Sequence, residues 1–344
     1  MSTKEEDAIM RGQAWFFHHL HSSLSSAALR CALELDIAGV MNRHDGPVTL
    51  SQIAQGISSP SLNTEDLSRL MRFLVHRKFF DEVNQLYSLN QCSKLLLKDT
   101  KNTLAPMGMC FTDPIMVSLL FNLNKSIKDG GTAAFKTHGL ELWDFLCCNL
   151  QVGKSFNEAM ACSTQIDMDT IVSSYDFGSL QGTLVDVGGG VGMAISEIVT
   201  RYPHLKGINF DLPHVVSSAP AYEGVTHVGG DMFTAIPPAD SIFIKSMLHD
   251  WSDDKCVQIL KNCRESITKR SGKLIIAEIV LNPQGDDVFD ETRINMDLIM
   301  LACFDGGKER TEVEWKMILE EAGFCHYNII KIPSVVSIIE AYTD

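Results

Sequence analysis

Val185-Asp186-Val187-Gly188-Gly189-Gly190-Val191-Gly192 closes one short apolar run and opens another. Thr183–Val187 is rich in β-branched residues and stops at glycines, and Met193–Arg201 follows with helical apolar spacing. A strand that ends in glycines and opens a helix lets a ligand approach the backbone closely. Asp211 comes 19 residues after Gly192, at the end of the next apolar run, Lys206–Phe210. A carboxylate there accepts hydrogen bonds from two ribose hydroxyls. Together the loop and the acid predict a nucleoside site on an α/β sheet.

Further apolar runs lie at Val225–Val228, Ser241–Lys245 and Lys273–Val280, with helical stretches between them. This alternation is that of a Rossmann-like, doubly wound α/β sheet. His326–Ile332 and Val335–Tyr342, hinged at Pro333–Ser334, read as a terminal β-hairpin. Towards the other end, Trp15, Phe16, Phe17, Leu20 and Leu24 recur at helical spacing, and Leu50–Ala54 and Leu67–Val75 repeat the pattern. Phe79 to Leu89 then reads as a short hairpin. Residues 1–105 are therefore expected to form a mainly helical, winged-helix-like domain and residues 106–344 the α/β domain. Residues 106–180 are helical in pattern, and their Met and aromatic stripe (Met107, Phe121, Phe135, Trp143, Phe145, Phe156, Met160 among them) is expected in the core.

The 344 residues hold 29 Lys and Arg against 43 Asp and Glu, a net charge of −14, and 45% are hydrophobic. That composition excludes a disordered chain, and the charge argues against nucleic acid and anionic lipid as partners. Residues 1–105 carry 11 charges of each sign, so the whole excess falls in 106–344. With a neutral first domain and no basic stripe read on its third helix, the winged-helix outline points to a dimerisation arm, and the Trp15–Phe17 aromatics suit an interface. The chain begins with acidic residues, has no apolar run near the ~20 that span a bilayer, and ends Ala-Tyr-Thr-Asp without a lipidation or retention signal. Ten cysteines without a Cys-x-x-Cys pair suggest buried, reduced thiols. These features predict a cytoplasmic protein that does not bind membranes.

The dinucleotide fingerprint counted from Gly188 requires a glycine at 193, where this chain has Met. Asp186, just before the glycines, disfavours an anionic pyrophosphate and favours a ligand with an ammonium and a sulfonium, S-adenosylmethionine. Asp231, after the third strand, suits an adenine amino group, and Met232 suits the ring face. His249 follows the fourth strand, at the carboxyl edge where such sheets bind ligands, and Ser252 is placed to cap the next helix. Glu278 interrupts an otherwise apolar strand, which is costly unless the carboxylate is paired. Glu309 lies on a glycine loop. One carboxylate on each side of the His249 imidazole would fix its tautomer and stabilise the imidazolium. The spacing shows no metal-ligand cluster, and no metal is expected. Met296, Met300 and Phe304 lie four apart, on one helical face.

Leu184-Val-Asp-Val-Gly-Gly-Gly-Val-Gly192, Asp211-Leu-Pro-His-Val215, Gly230-Asp-Met-Phe233, Leu248-His-Asp-Trp251 and Gly306-Gly-Lys-Glu-Arg-Thr311 resemble, in order and spacing, the plant small-molecule O-methyltransferases of the caffeate, isoflavone and alkaloid type. The resemblance covers nearly the whole chain. It implies a homodimer, with S-adenosylmethionine bound by Gly188, Asp211, Leu212, Asp231, Met232 and Lys245 and leaving as S-adenosylhomocysteine. It also implies His249 as the base, flanked by Glu278 and Glu309, in direct methyl transfer to a phenolic hydroxyl. A free His near ~6.5 does not ionise a phenol near ~10, so proton removal should accompany attack. Phe156, Met160, Met300 and Phe304 are candidate substrate contacts, and Asp305 is the acid to watch for a cationic alkaloid. Flavonoid, alkaloid and phenylpropanoid phenols all suit such a pocket. Two other readings are an oxidoreductase using NAD and a winged-helix regulator that senses a small molecule.

Overall fold

The structure, a computed structural model, describes residues 3–268 and 272–343. It falls into two compact units, one of residues 1–117 and 150–162, the other of residues 118–149 and 163–344.

In the first unit, helices Thr3–Leu20, Ser23–Glu34, Ile37–Asn42, Leu50–Gly56 and Thr64–His76 precede a hairpin of β1 (Phe80–Val83) and β2 (Leu86–Leu89). Thr49 starts its helix by accepting the Gln52 amide, with the Gln52 side chain returning to the Thr49 amide, and Asn63 caps the next through the amides of Glu65 and Asp66. The hairpin turns on Asn84 and Gln85, at φ 54° and 64°, the left-handed pair that matches the strand twist. Leu33, Ile37, Ile53, Met71, Leu74 and Phe80 form its core. Trp15, Phe16 and Phe17 remain 55–65% exposed. Helix Thr64–His76, whose residues Leu67–Val75 carry the last helical pattern before the hairpin, has exposed Arg69, Arg72 and His76 around Phe73, where the sequence suggests no basic stripe.

The second unit contains a seven-stranded sheet. Its strands are β3 (Thr183–Val187), β4 (Lys206–Asp211), β5 (Val225–Gly229), β6 (Ser241–Lys245) and β7 (Lys273–Glu278), followed, after β8 (Val280–Leu281) and β9 (Arg310–Thr311), by β10 (His326–Lys331) and β11 (Ser337–Tyr342). The order is β10-β11-β7-β6-β3-β4-β5, parallel from β7 to β5 and antiparallel at β11. The chain winds outward from β3 in one direction and then from β6 in the other, so the strand order reverses beside β3. That switch point opens a crevice at the strands' carboxyl ends.

Alternation along each strand divides the core into two layers. Val185, Ile242, Ile244, Leu274, Ile276 and Ile339 pack on one face with helices Asp253–Ser266 and Glu312–Glu321. Leu184, Phe243, Ile275, Ala277 and Ile338 pack on the other with helix Met193–Arg201 and with Met168, Ile171 and Val172. Expectations for 106–180 hold for helicity but not for burial throughout. Met116, Phe145 and Phe156 are buried, whereas Phe121 is 77% exposed and Phe135 and Trp143 nearly half exposed. The cysteines also divide: Cys110, Cys162, Cys256, Cys263 and Cys303 are buried, but Cys92, Cys147, Cys148 and Cys325 are exposed. Among the described residues no single helix is long and apolar enough to cross a membrane.

Ile244, fully buried in the central strand β6, gives a direct measure of the core. Ile244→Ala should cost about 2–5 kcal/mol in urea unfolding of the whole chain. A loss below about 1 kcal/mol would mean that this layer is not packed as described.

Candidate active site

The carboxyl ends of five parallel strands bring the predicted residues to one edge. Gly188 to Gly192 follow β3, Asp211 ends β4, Asp231 follows β5, Lys245 ends β6 and Glu278 ends β7. Gly188 has φ +71°, and a Cβ there would stand 2.8 Å from Met247. Above Gly190 none of the described residues lies within 4 Å of the equivalent position, so the loop leaves room for a ligand at its crest.

Asp211 shapes that loop. Its Oδ2 accepts the Gly190 amide at 2.8 Å and its Oδ1 the Leu212 amide at 2.7 Å. Asp231 closes its own turn, accepting from the Phe233 amide at 2.9 Å and the Thr234 hydroxyl at 3.1 Å. Leu212 is 45% exposed, and Met232 packs partly against the core. Lys245 points to Asp167, with Nζ 3.1 Å from Oδ2 and both side chains about 10% exposed or less. Asp186 is buried beneath the glycines rather than presented at the ligand side.

The imidazole of His249 sits in an acidic nest. Nδ1 donates to Glu309 Oε1 at 2.8 Å, and Glu278 Oε2 lies 3.6 Å from the same nitrogen. The two glutamates thus share the Nδ1 side, instead of standing one on each side as expected. The Nε2 side has Asp250 Oδ1 at 3.6 Å. Burial pulls the imidazole towards its neutral form, but Glu278, the Glu309 hydrogen bond and charge, and Asp250 outweigh it and push the His249 pKa up to about 10. Burial, opposed by His249 and reinforced by Glu278 and Glu309, raises Asp250 to about 7. Glu309 is also raised, by burial first, against the pull of His249.

Short local pairings build this nest. Glu278 is fully buried, and its Oε1 accepts the amides of both Met247 and Leu248 at 2.8 Å, fixing the turn just before His249. Ser246 enters that turn with φ +47°. β8, one residue beyond Glu278, pairs in parallel with β9, directly after Glu309, and so brings the two glutamates together. The fully buried Arg310 donates to the carbonyls of Leu248 (3.1 Å) and Trp251 (2.7 Å), and the Lys308 amide donates to the carbonyl of His249. Glu309 is therefore not a solvated partner of its neighbours: Lys308 and Arg310 both pair with Asp253. Ser252 does occupy the helix N-cap, but its hydroxyl makes no capping bond.

Although the sequence showed no metal-ligand cluster, His249, Glu278 and Glu309 place one ligand atom each within 4.8 Å of one another. In the same cluster Nδ1 donates to Glu309 Oε1 and Glu278 Oε1 serves two amides, while Glu278 Oε2 and Glu309 Oε2 make no hydrogen bond among the described residues.

Of the apolar candidates, Phe304 ends the helix Asp290–Cys303 with extended backbone, so it leaves the face of Met296 and Met300; its ring lies 5.6 Å from that of Trp143. Met300 is buried and Met296 packs in the core. In the first unit, Phe156 is buried and Met160 half-buried. Asp305 is exposed.

Residues 120–325 match the model of the O-methyltransferase domain, and residues 17–99 that of the O-methyltransferase dimerisation domain. The chain belongs to the O-methyltransferase family. It is 47% identical to desmethylxanthohumol 6'-O-methyltransferase of Humulus lupulus, over 97% of this chain and 99% of the relative. It is 44% identical to (R,S)-reticuline 7-O-methyltransferase of Papaver somniferum over the full length of both. Among solved structures, human N-acetylserotonin methyltransferase in complex with S-adenosylmethionine superposes with a TM-score of 0.82 at 22% identity, covering 100% of this chain and 99% of that one. At that identity the likeness speaks for the fold alone.

In this O-methyltransferase the sequence reading passed over Asp250, Arg310, Asp167 and Asn209. Asn209 carries the signal that exposed Glu278, a polar side chain in an apolar parallel strand. Asp250 and Arg310 adjoin chosen residues, but only the fold shows which way they point.

Removing the charge of Glu309 should release part of the hold on the imidazole. In Glu309→Gln the His249 ring, followed by NMR, should titrate at least about one pH unit below the wild-type value. An unchanged midpoint would show that Glu309 does not set its proton affinity.

Proposed function

We propose that the enzyme transfers a methyl group from S-adenosylmethionine to a phenolic hydroxyl of a plant specialised metabolite, with His249 as the general base. The observation that carries this is the Nδ1–Glu309 hydrogen bond, 2.8 Å long. A carboxylate only accepts, so Nδ1 carries a proton, and when the ring loses its second proton the lone pair lies on Nε2, on the Asp250 side.

The strand-end residues fit the cofactor. The loop is open above Gly190. Asp211 retains lone pairs beyond its two amide bonds, which suits ribose hydroxyls. Gly188, Leu212, Asp231, Met232 and Lys245 complete the proposed set; Leu212 and Met232 offer apolar surface to a flat ring, and Lys245 stands with Asp167 at the end of β6. When bound, S-adenosylmethionine supplies an electrophilic methyl on a sulfonium and leaves as S-adenosylhomocysteine.

The chain's own part is proton handling and positioning. His249 Nε2 takes the phenolic proton, and the imidazolium formed is held by Glu309 and Glu278. With its proton affinity raised to about 10, His249 matches a phenol near ~10, so the transfer is close to balanced. This replaces the mismatch expected for an unperturbed histidine. Glu278 also fixes the Met247–Leu248 amides. No metal enters this scheme, and chelation should leave the rate unchanged.

The acceptor is proposed as a phenol because relatives are named for O-methylation of desmethylxanthohumol, of reticuline and, in Glycyrrhiza echinata, of isoflavone. Phe304 beside Trp143 supports a flat ring, while Met300, Phe156 and Met160 stand as candidates on the sequence pattern. Homodimer formation through the exposed Trp15–Phe17 face and a cytoplasmic location complete the reading.

His249→Ala should lower kcat on a phenolic acceptor by about 10²–10⁴-fold while calorimetry still registers S-adenosylmethionine binding. Substantial turnover in that variant would sink the base assignment; lost cofactor binding would show that His249 shapes the cofactor site instead.

A further inference from the structure

Two buried acceptors meet beneath the glycine loop with no donor between them. Asp186 is 1% exposed and Asn209 0%. Among the described residues, Asp186 Oδ2 and Asn209 Oδ1 have no hydrogen-bond partner. Both crowd the underside of Gly189, where a Cβ would stand 2.6 Å from the first and 2.2 Å from the second. The two oxygens therefore lie on the same side of Gly189, no more than 4.8 Å apart. A pair of buried, desolvated acceptors is costly, and a proton shared between them removes that cost.

The orientation of the Asn209 amide is fixed by its other contacts. Nδ2 donates to the Gly190 carbonyl at 2.8 Å and lies 3.1 Å from His227 Nδ1. His227 Nε2 lies 2.9 Å from the Pro220 carbonyl, so the ring proton sits on Nε2 and Nδ1 accepts. Turning the amide over would set Oδ1 against two acceptors. Oδ1 must face Asp186, and an amide oxygen cannot carry the proton.

We propose that Asp186 is a positioning residue held as the neutral acid, whose carboxyl O–H donates to Asn209 Oδ1 and locks the amide that holds Gly190. Gly190 is then gripped at both ends, its N–H by Asp211 and its carbonyl by Asn209. The surroundings agree. Burial first, then the Asp211 carboxylate on β4, raise Asp186 to about 7, against the Lys245 ammonium on β6 and the Ile195 amide of the following helix. Lys245 is itself turned to Asp167, and His227 on β5 reaches Asp186 only through Asn209. Asp186 thus serves the cofactor by shaping the loop and not by opposing its positive charge. For the cofactor this rests on the proposed function; for the loop it stands on the geometry alone.

Asp186→Asn separates the two roles, because its amide N–H can make the same bond to Asn209 without a charge. In the protein free of cofactor, a group whose folded pKa is raised loses stability as pH climbs from its unfolded value to its folded one. The wild-type melting temperature should therefore fall relative to Asp186→Asn between about pH 4 and about pH 7 and hold a constant offset above that. A difference that stays flat, or that moves in favour of the wild type, overturns the proposal. In calorimetry Asp186→Asn should bind S-adenosylmethionine within about threefold of wild type; a loss of about tenfold or more, near 1.4 kcal/mol, would assign Asp186 to charge neutralisation and overturn it as well. Wild-type protein that binds no S-adenosylmethionine would fail the cofactor reading instead, and the melting comparison would still judge Asp186.

Discussion

A carboxylate inside a parallel sheet is the constraint on which the site depends. Glu278 ends β7 with no exposure to solvent, and a charge so placed is costly unless it is paired. Its Oε1 takes two main-chain amides, those of Met247 and Leu248. That satisfies one oxygen and, in the same bonds, folds the segment after β6 so that His249 falls against Oε2. From the same strand end the chain passes into β8, whose pairing with β9 delivers Glu309 to the same imidazole nitrogen. One buried acid thus sets the loop, the imidazole and the position of the second acid.

The glycine end of the crevice follows a related logic with a different solution. There the buried acid, Asp186, meets an acceptor instead of amides on one of its oxygens, and the proposed answer is a proton. Both arrangements stiffen a main-chain segment at the switch point before any ligand arrives. Preorganisation of this kind is what a transfer between two bound reactants requires, since much of the acceleration comes from holding them in line in a water-poor site.

Periodicity made the strands and the helix Met193–Arg201 legible, because apolar alternation reports burial directly. The terminal hairpin was equally plain from two apolar runs about Pro333–Ser334. The choice of His249, Glu278 and Glu309 came from polar residues at strand ends and from resemblance, and the fold brings the three together. What escaped was direction. Nothing in the spacing shows that both glutamates approach Nδ1, since a two-residue pairing such as β8–β9 is too short to leave a period. Phe304 kept the four-residue rhythm of Met296 and Met300 but sits where the helix has ended. Asp186, read as a charge offered to a ligand, turned out to be the strand's own buried side chain, facing Asn209 across the β3–β4 pair.

The central claim is that the acidic nest raises the proton affinity of His249 until it matches a phenol. Its most direct test is the pH dependence of kcat/KM on two phenols that both ionise above about 10, so that only the enzyme titrates below that. Because the base must be unprotonated, the rate should climb about tenfold per pH unit above neutrality and break towards about 10, at a position tied to the enzyme for both acceptors. A profile already level by about pH 7, as an unperturbed histidine near ~6.5 would give, would contradict the account.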